Sequence, residues 1–130
     1  MCGHVRYALA AEPANVVDCH CRDCQRSSGA PFVTWTTVPR AGFALTRGSL
    51  QYVAFADRRR GFAPCCGTPV VFEEDAVTEW IDVTVASFDE PGALRPAKAL
   101  WLEDHQPWVP LNPQIPGYAQ RTVTPGGAAP

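Results

Sequence analysis

In the stretch WIDVTVASF (80–88), Ile81, Val83 and Val85 alternate with Asp82 and Thr84. A period of two predicts a strand with one buried face. HVRYALA (4–10) places Val5, Tyr7 and Leu9 on one side, and PFVTWTTV (31–38), LQYVAFA (50–56) and TPVVFEE (68–74) are rich in β-branched and aromatic residues. Each reads as a further strand. Thirteen prolines and ten glycines are spread along the chain, so they punctuate many short elements and exclude long helices. The one helical piece predicted runs over Arg22 to Ser28 and is closed by Gly29, a residue that readily takes the left-handed conformation ending helices. The pattern therefore predicts a mainly β domain of small antiparallel sheets over residues 1–120, with one short helical turn after a C-x-C segment. Residues 121–130 form a flexible tail in this reading, because TVTPGGAAP gives little to pack. No internal repeat interrupts the domain.

Charge narrows the functional classes. Eleven Lys and Arg against 13 Asp and Glu leave a net charge of -2, which provides no general attraction to nucleic acid or to an anionic membrane. No stretch approaches 18 uncharged apolar residues, and the opening MCGHVRYALAAEP lacks a basic leader and a sustained apolar segment. The expectation is a soluble, cytoplasmic protein. In a reducing compartment, six closely spaced cysteines point to metal ligation or reactive thiols rather than to a disulfide framework.

The densest group lies in VVDCHCRDCQRSSG (16–29), where Cys19, Cys21 and Cys24 fall within six residues. On extended chain Cys19 and Cys21 leave the same face, and a following turn swings Cys24 back toward them. Three sulfurs about 3.8 Å apart suit tetrahedral zinc and leave its fourth position open. Two other readings compete, three unrelated buried thiols and a dithiol redox centre; no thioredoxin-like βαβ pattern surrounds these cysteines, and the redox reading leaves a third thiol over. His20 lies between two ligands on extended chain and should face away from them. His4 and His105 read as hydrogen-bonded structural histidines. In FAPCCGTP (62–69), Cys65 and Cys66 are adjacent, so on extended chain their sulfurs should diverge, and Cys2 is the remaining thiol. Arg22 and Arg26, four apart, should project together and could offset a negative cluster or grip substrate carboxylates, or simply be solvated. DRRRG (57–61) reads as an exposed loop. Phe32, Trp35, Trp101 and Trp108 read as core rather than pocket lining.

Taken together, CGHVRY, CHCRDCQRSSGAPF, RRGFAPCCGTPVVF, WIDVTVASFDEP and LWLEDHQPW resemble the glutathione-dependent formaldehyde-activating enzyme family, the CENP-V/GFA domain, from Cys2 to about Trp108. The resemblance implies a β-tent-like fold of small antiparallel sheets, a catalytic zinc on three cysteines and a structural zinc on four. The catalytic pattern C-x-C-x-x-C with a following Ser-Gly falls on Cys19, Cys21, Cys24, Ser28 and Gly29. Arg60 fits a basic position just before the second cysteine group. The structural pattern is incomplete. Met1 stands where the residue between its first two cysteines belongs, and Ala63 replaces the first of its later pair. A start further upstream would restore one ligand but not the other. Cys2 and Cys66 thus align as a remnant site, with Cys65 an extra thiol, and the expectation is one zinc per chain, a weak or empty second site, and Cys2 close to Cys66.

Three thiolates on Zn²⁺ carry a net charge of about −1, a poor setting for activating water and a better one for a soft incoming thiol. By resemblance the reaction is reversible addition of a glutathione-like thiol to formaldehyde or another small aldehyde, a carbon-sulfur lyase activity. Small-molecule thiol and aldehyde would be the partners, without nucleic acid or membrane. Two alternatives stand beside it: a zinc-stabilised interaction module without catalysis, and a redox-responsive thiol protein using Cys65 with Cys66 or Cys2 with Cys66.

Overall fold

The structure, a computed structural model, describes residues 2–122. Most of the tail expected over 121–130 therefore lies outside the described residues. In chain order the strands are β1 (Arg6–Leu9), β2 (Ala14–Cys19), β3 (Val33–Pro39), β4 (Phe43–Arg47), β5 (Gln51–Phe55), β6 (Arg58–Phe62), β7 (Pro69–Glu74), β8 (Trp80–Thr84) and β9 (Lys98–Leu100), with one α-helix, α1 (Arg22–Ser28). The mainly β class and, among the described residues, the single short α-helix match the sequence pattern. No helix among the described residues is long and apolar enough to cross a membrane. The chain parts into two compact units, one from residues up to Ala14 and Thr36–Pro91, the other from Asn15–Trp35 and residues from Gly92 on.

In the first unit β1 pairs antiparallel with β4, and β5, β6, β7 and β8 form an antiparallel run. Tyr52, Gly61, Val71 and Val83 make one row across that run. A Cβ on Gly61 would lie 2.6 Å from Val71 Cγ2 and 2.9 Å from Tyr52 Cε1, so close side-chain approach requires glycine there. Val38, Val70, Val71, Ile81 and Val83 form the core, and Tyr7, Leu9, Phe43, Leu50 and Phe88 pack against it. Burying each such valine contributes about 1.5–3 kcal/mol. At the polar edge, Glu73 is buried and its Oε2 accepts from Arg40 Nη1 at 2.8 Å and Arg59 Nη2 at 2.5 Å.

Two expectations for this unit need correction. The strand predicted over 80–88 stops at Thr84, because Val85–Ser87 turns into a 3-10 helix. Ser87 Oγ caps the Thr84 carbonyl at 2.8 Å, and Phe88 N–H closes on the Val85 carbonyl at 3.1 Å. DRRRG is not an exposed loop; Arg58–Gly61 lies in β6, paired on both sides. The Arg60 guanidinium sits 4.8 Å from the centre of the Phe72 ring, so cation–π contact replaces the apolar alternation a strand normally shows.

In the second unit β2 pairs with β9 in parallel, Cys19 opposite Leu100, which departs from the purely antiparallel expectation. With only three residues, β9 carries too little alternation to be read from sequence. The chain after β9 folds back on itself: Ala99 N–H reaches Pro116 O and Tyr118 N–H reaches Ala99 O, both at 2.9 Å. Between them Trp101 takes a left-handed φ of 60° and opens the 3-10 turn Leu102–Asp104. β3 contributes Val33–Trp35 to this unit and its remaining residues to the first.

Candidate metal centre

β2 ends at Cys19, and Cys21 is the N-cap of α1, its backbone extended at φ −60° and ψ 152°. Cys21 Sγ accepts the Cys24 N–H at 3.4 Å, the role serine or aspartate usually fills at a helix start. The capping bond places the first-turn thiol of Cys24 beside Cys21, and the strand end brings Cys19 to both. All three Sγ atoms lie within 4.8 Å of one another. Gly29, at φ 68°, closes the helix with its N–H on the Gln25 carbonyl at 2.9 Å.

Cys24 is buried, while Cys19 and Cys21 are half-buried. Hydrogen bonds to Cys21 and Cys24, with burial, push the Cys19 thiol far above its ordinary value. Three clustered thiols resist deprotonation alone, and a cation reverses that preference. Two N–H groups already face the sulfurs: Cys24 N–H toward Cys21 Sγ, and Trp35 Nε1–H toward Cys24 Sγ at 3.3 Å. Sulfur spacing, sulfur softness and N–H donors aimed at sulfur all fit zinc or a similar cation. Among the described residues no carboxylate or histidine joins the three thiols as a fourth ligand.

His20 faces away from the thiols, as its place on extended chain requires. Its N–H bonds Leu100 O at 3.0 Å, and its ring packs 5.0 Å from Phe32 and 5.3 Å from His105. Burial holds the imidazole below its ordinary pKa. His105 Nε2 pairs with Val109 O at 2.6 Å, a structural contact. Arg22 and Arg26 are both exposed on α1; Arg22 Nη1 bonds Gln25 Oε1, and Arg22 N–H reaches Asp104 Oδ2 at 3.2 Å. Trp35 is buried as expected, Phe32 and Trp101 are half-buried, and Trp108, 72% exposed, is not core.

Sequence reasoning missed Gln25. It is buried, and its Nε2 donates to the His20 carbonyl and to the Asp104 carbonyl at 2.9 Å, while its Oε1 accepts from Gln106 Nε2 at 3.0 Å. This amide clamps the helix carrying Cys24 to the 104–106 loop. The available signal was positional: Gln25 follows the N-cap by four residues and so shares its face.

The sequence matches the family described as glutathione-dependent formaldehyde-activating enzyme over residues 1–104. The chain belongs to this family. A Rhodobacter sphaeroides protein of known crystal structure shares the fold at a TM-score of 0.58 and 19% identity, covering 90% of this chain and 94% of its own. No curated protein matches the chain.

The structural site that the formaldehyde-activating family resemblance implied is altered. Cys2, Cys65 and Cys66, in the first unit, have sulfurs within 4.8 Å of one another and could also hold a metal ion. Cys2 does lie close to Cys66, but Cys65 joins them. Its sulfur does not diverge from that of Cys66; the two are 3.8 Å apart, because Pro64–Cys66 is a turn rather than extended chain. Hydrogen bonds with Thr68 pull Cys66 down to about 6, and the Cys2 contact pushes Cys65 up to about 11. Ala63, in the fourth ligand's place, is buried, and Cys2 Sγ and Cys65 Sγ are only 2.7 Å apart. Ligands of one tetrahedral zinc stand about 3.8 Å apart, so these residues do not fit a tetrathiolate zinc site.

Proposed function

We propose that this protein is a zinc-dependent carbon-sulfur lyase that adds a glutathione-like thiol reversibly to formaldehyde or a comparable small aldehyde. The observation that carries the reading is the convergence of Cys19, Cys21 and Cys24 without a fourth protein ligand among the described residues. Family membership supports it. Zinc on these three residues would supply a soft site that favours an incoming thiol in its deprotonated form over water activation.

The chain's own residues do the rest. Trp35 and the Cys24 N–H spread the negative charge on the sulfurs, and Gln25 holds α1 so that Cys24 stays in place. Arg22 and Arg26, exposed on the same helix, would attract an anionic thiol such as one bearing carboxylates. In the reaction, thiol sulfur bonds the carbonyl carbon, the C=O π bond breaks, the thiol proton leaves to solvent and the carbonyl oxygen takes one up. The product is a hydroxymethyl thioether, and reversal regenerates thiol and aldehyde.

The test is zinc-edge X-ray absorption of the chelator-free protein with and without glutathione. Sulfur coordination should rise from three toward four. Protein purified without metal, or an unchanged first shell, overturns the reading.

A further inference from the structure

The second thiol group lies apart from the proposed reaction. Cys2 and Cys65 are exposed, 63 positions apart in sequence, yet their sulfurs are 2.7 Å apart. That is closer than two ligands of one zinc ion stand and close to bonding distance, about 2.05 Å for a disulfide. The third thiol is held differently. Cys66 Sγ lies 3.1 Å from Thr68 Oγ1, and its backbone is fixed by Cys66 N–H and Gly67 N–H on the Ala63 carbonyl, at 3.2 and 2.8 Å. Joining the neighbours Cys65 and Cys66 would close a small ring through that turn and break those bonds. A cavity of about 40 Å³ lined by Cys2, Cys66, Thr68 and Ser87 adjoins the group, room for a molecule the size of hydrogen peroxide.

We propose that Cys2 and Cys65 form a reversible disulfide on exposure to a small peroxide, with Cys66 left as a free thiol. The Cys2 thiol, which lines the cavity, attacks one peroxide oxygen; its S–O bond forms, the O–O bond breaks and water leaves. The Cys65 thiol, 2.7 Å away, then attacks that sulfur, the S–S bond forms and a second water leaves. Two thiols and one hydrogen peroxide thus give one disulfide and two waters. A dithiol reductant reverses the step and is itself oxidised to a disulfide. This activity is independent of the Cys19, Cys21 and Cys24 site.

The test treats the full-length reduced protein with stoichiometric hydrogen peroxide, blocks remaining thiols with an alkylating reagent and maps tryptic peptides by mass spectrometry. The expected product links the peptides ending at Arg6 and Lys98, weighs two hydrogens less than the reduced pair, carries its alkyl group on Cys66 and separates on reduction. Cys66→Ser should cross-link at the wild-type rate, and Cys65→Ser at least tenfold more slowly, each variant checked for folding by circular dichroism. Cross-linking through Cys66 in the wild type, equal rates in the two variants, or no cross-link because bound metal shields all three thiols would overturn the proposal.

Discussion

Trp35 Nε1 donates a hydrogen bond to Cys24 Sγ across 3.3 Å, joining a buried ring on β3 to a thiol on the first turn of α1. Such outer contacts orient a ligand and lower its basicity. Trp35→Phe keeps most of the ring and removes the donor, so zinc affinity should fall about tenfold or more while the fold persists. Competition against a chromophoric chelator measures this, with near-ultraviolet circular dichroism as the check on packing.

Cys21 has two roles that one substitution separates. Serine is at least as good an N-cap as cysteine, so Cys21→Ser should change the stability of the metal-free protein by less than about 1 kcal/mol. The same change removes one of three sulfur donors. Zinc stoichiometry by atomic emission should drop sharply, and thiol-aldehyde addition, followed by exchange NMR, should drop with it.

Glu73 makes stability depend on acid. Burial alone would raise its pKa, but hydrogen bonds and charge attraction from Arg59 and Arg40 outweigh burial and hold it below the ordinary 4.5. Because the folded value is the lower one, the stabilisation is complete above 4.5 and disappears as pH falls through the folded value. The arginines are 34% and 49% exposed, so solvent screens part of the attraction. Glu73→Gln should cost about 1–2 kcal/mol at pH 7. Urea denaturation should show wild type and variant converging as pH falls below 4.5 and through the lower folded value.

Gly48 tests the backbone. It has φ +72°, and a Cβ there would stand 2.6 Å from the His4 carbonyl oxygen, a backbone atom that cannot swing aside. Gly48→Ala should therefore destabilise by about 2 kcal/mol or more, read from the urea midpoint. Activity per folded molecule should be retained.

What could be read from the sequence followed from local rules. Alternation located β8, and glycine marked the end of α1, because strand period and helix caps depend on a few neighbouring residues. The meeting of Cys19, Cys21 and Cys24 was legible for the same reason. β6 was not, since RRRGF hides its packing in arginine stems and ring faces rather than in apolar side chains. Nor was the burial of Gln25, a polar residue whose partners at Asp104 and Gln106 lie about eighty positions away. The closeness of Cys65 to Cys66 depended on a turn at Pro64–Cys66 where extended chain was assumed.

Trp101 carries a left-handed backbone immediately after Leu100, the residue opposite Cys19 and the acceptor for His20 N–H. For a bulky L-residue that conformation costs about 1–2 kcal/mol. Anyone seeking a more heat-tolerant version would reach for glycine at that corner. The relaxed main chain would then be free to drift, and the shelf behind the sulfur atoms would drift with it.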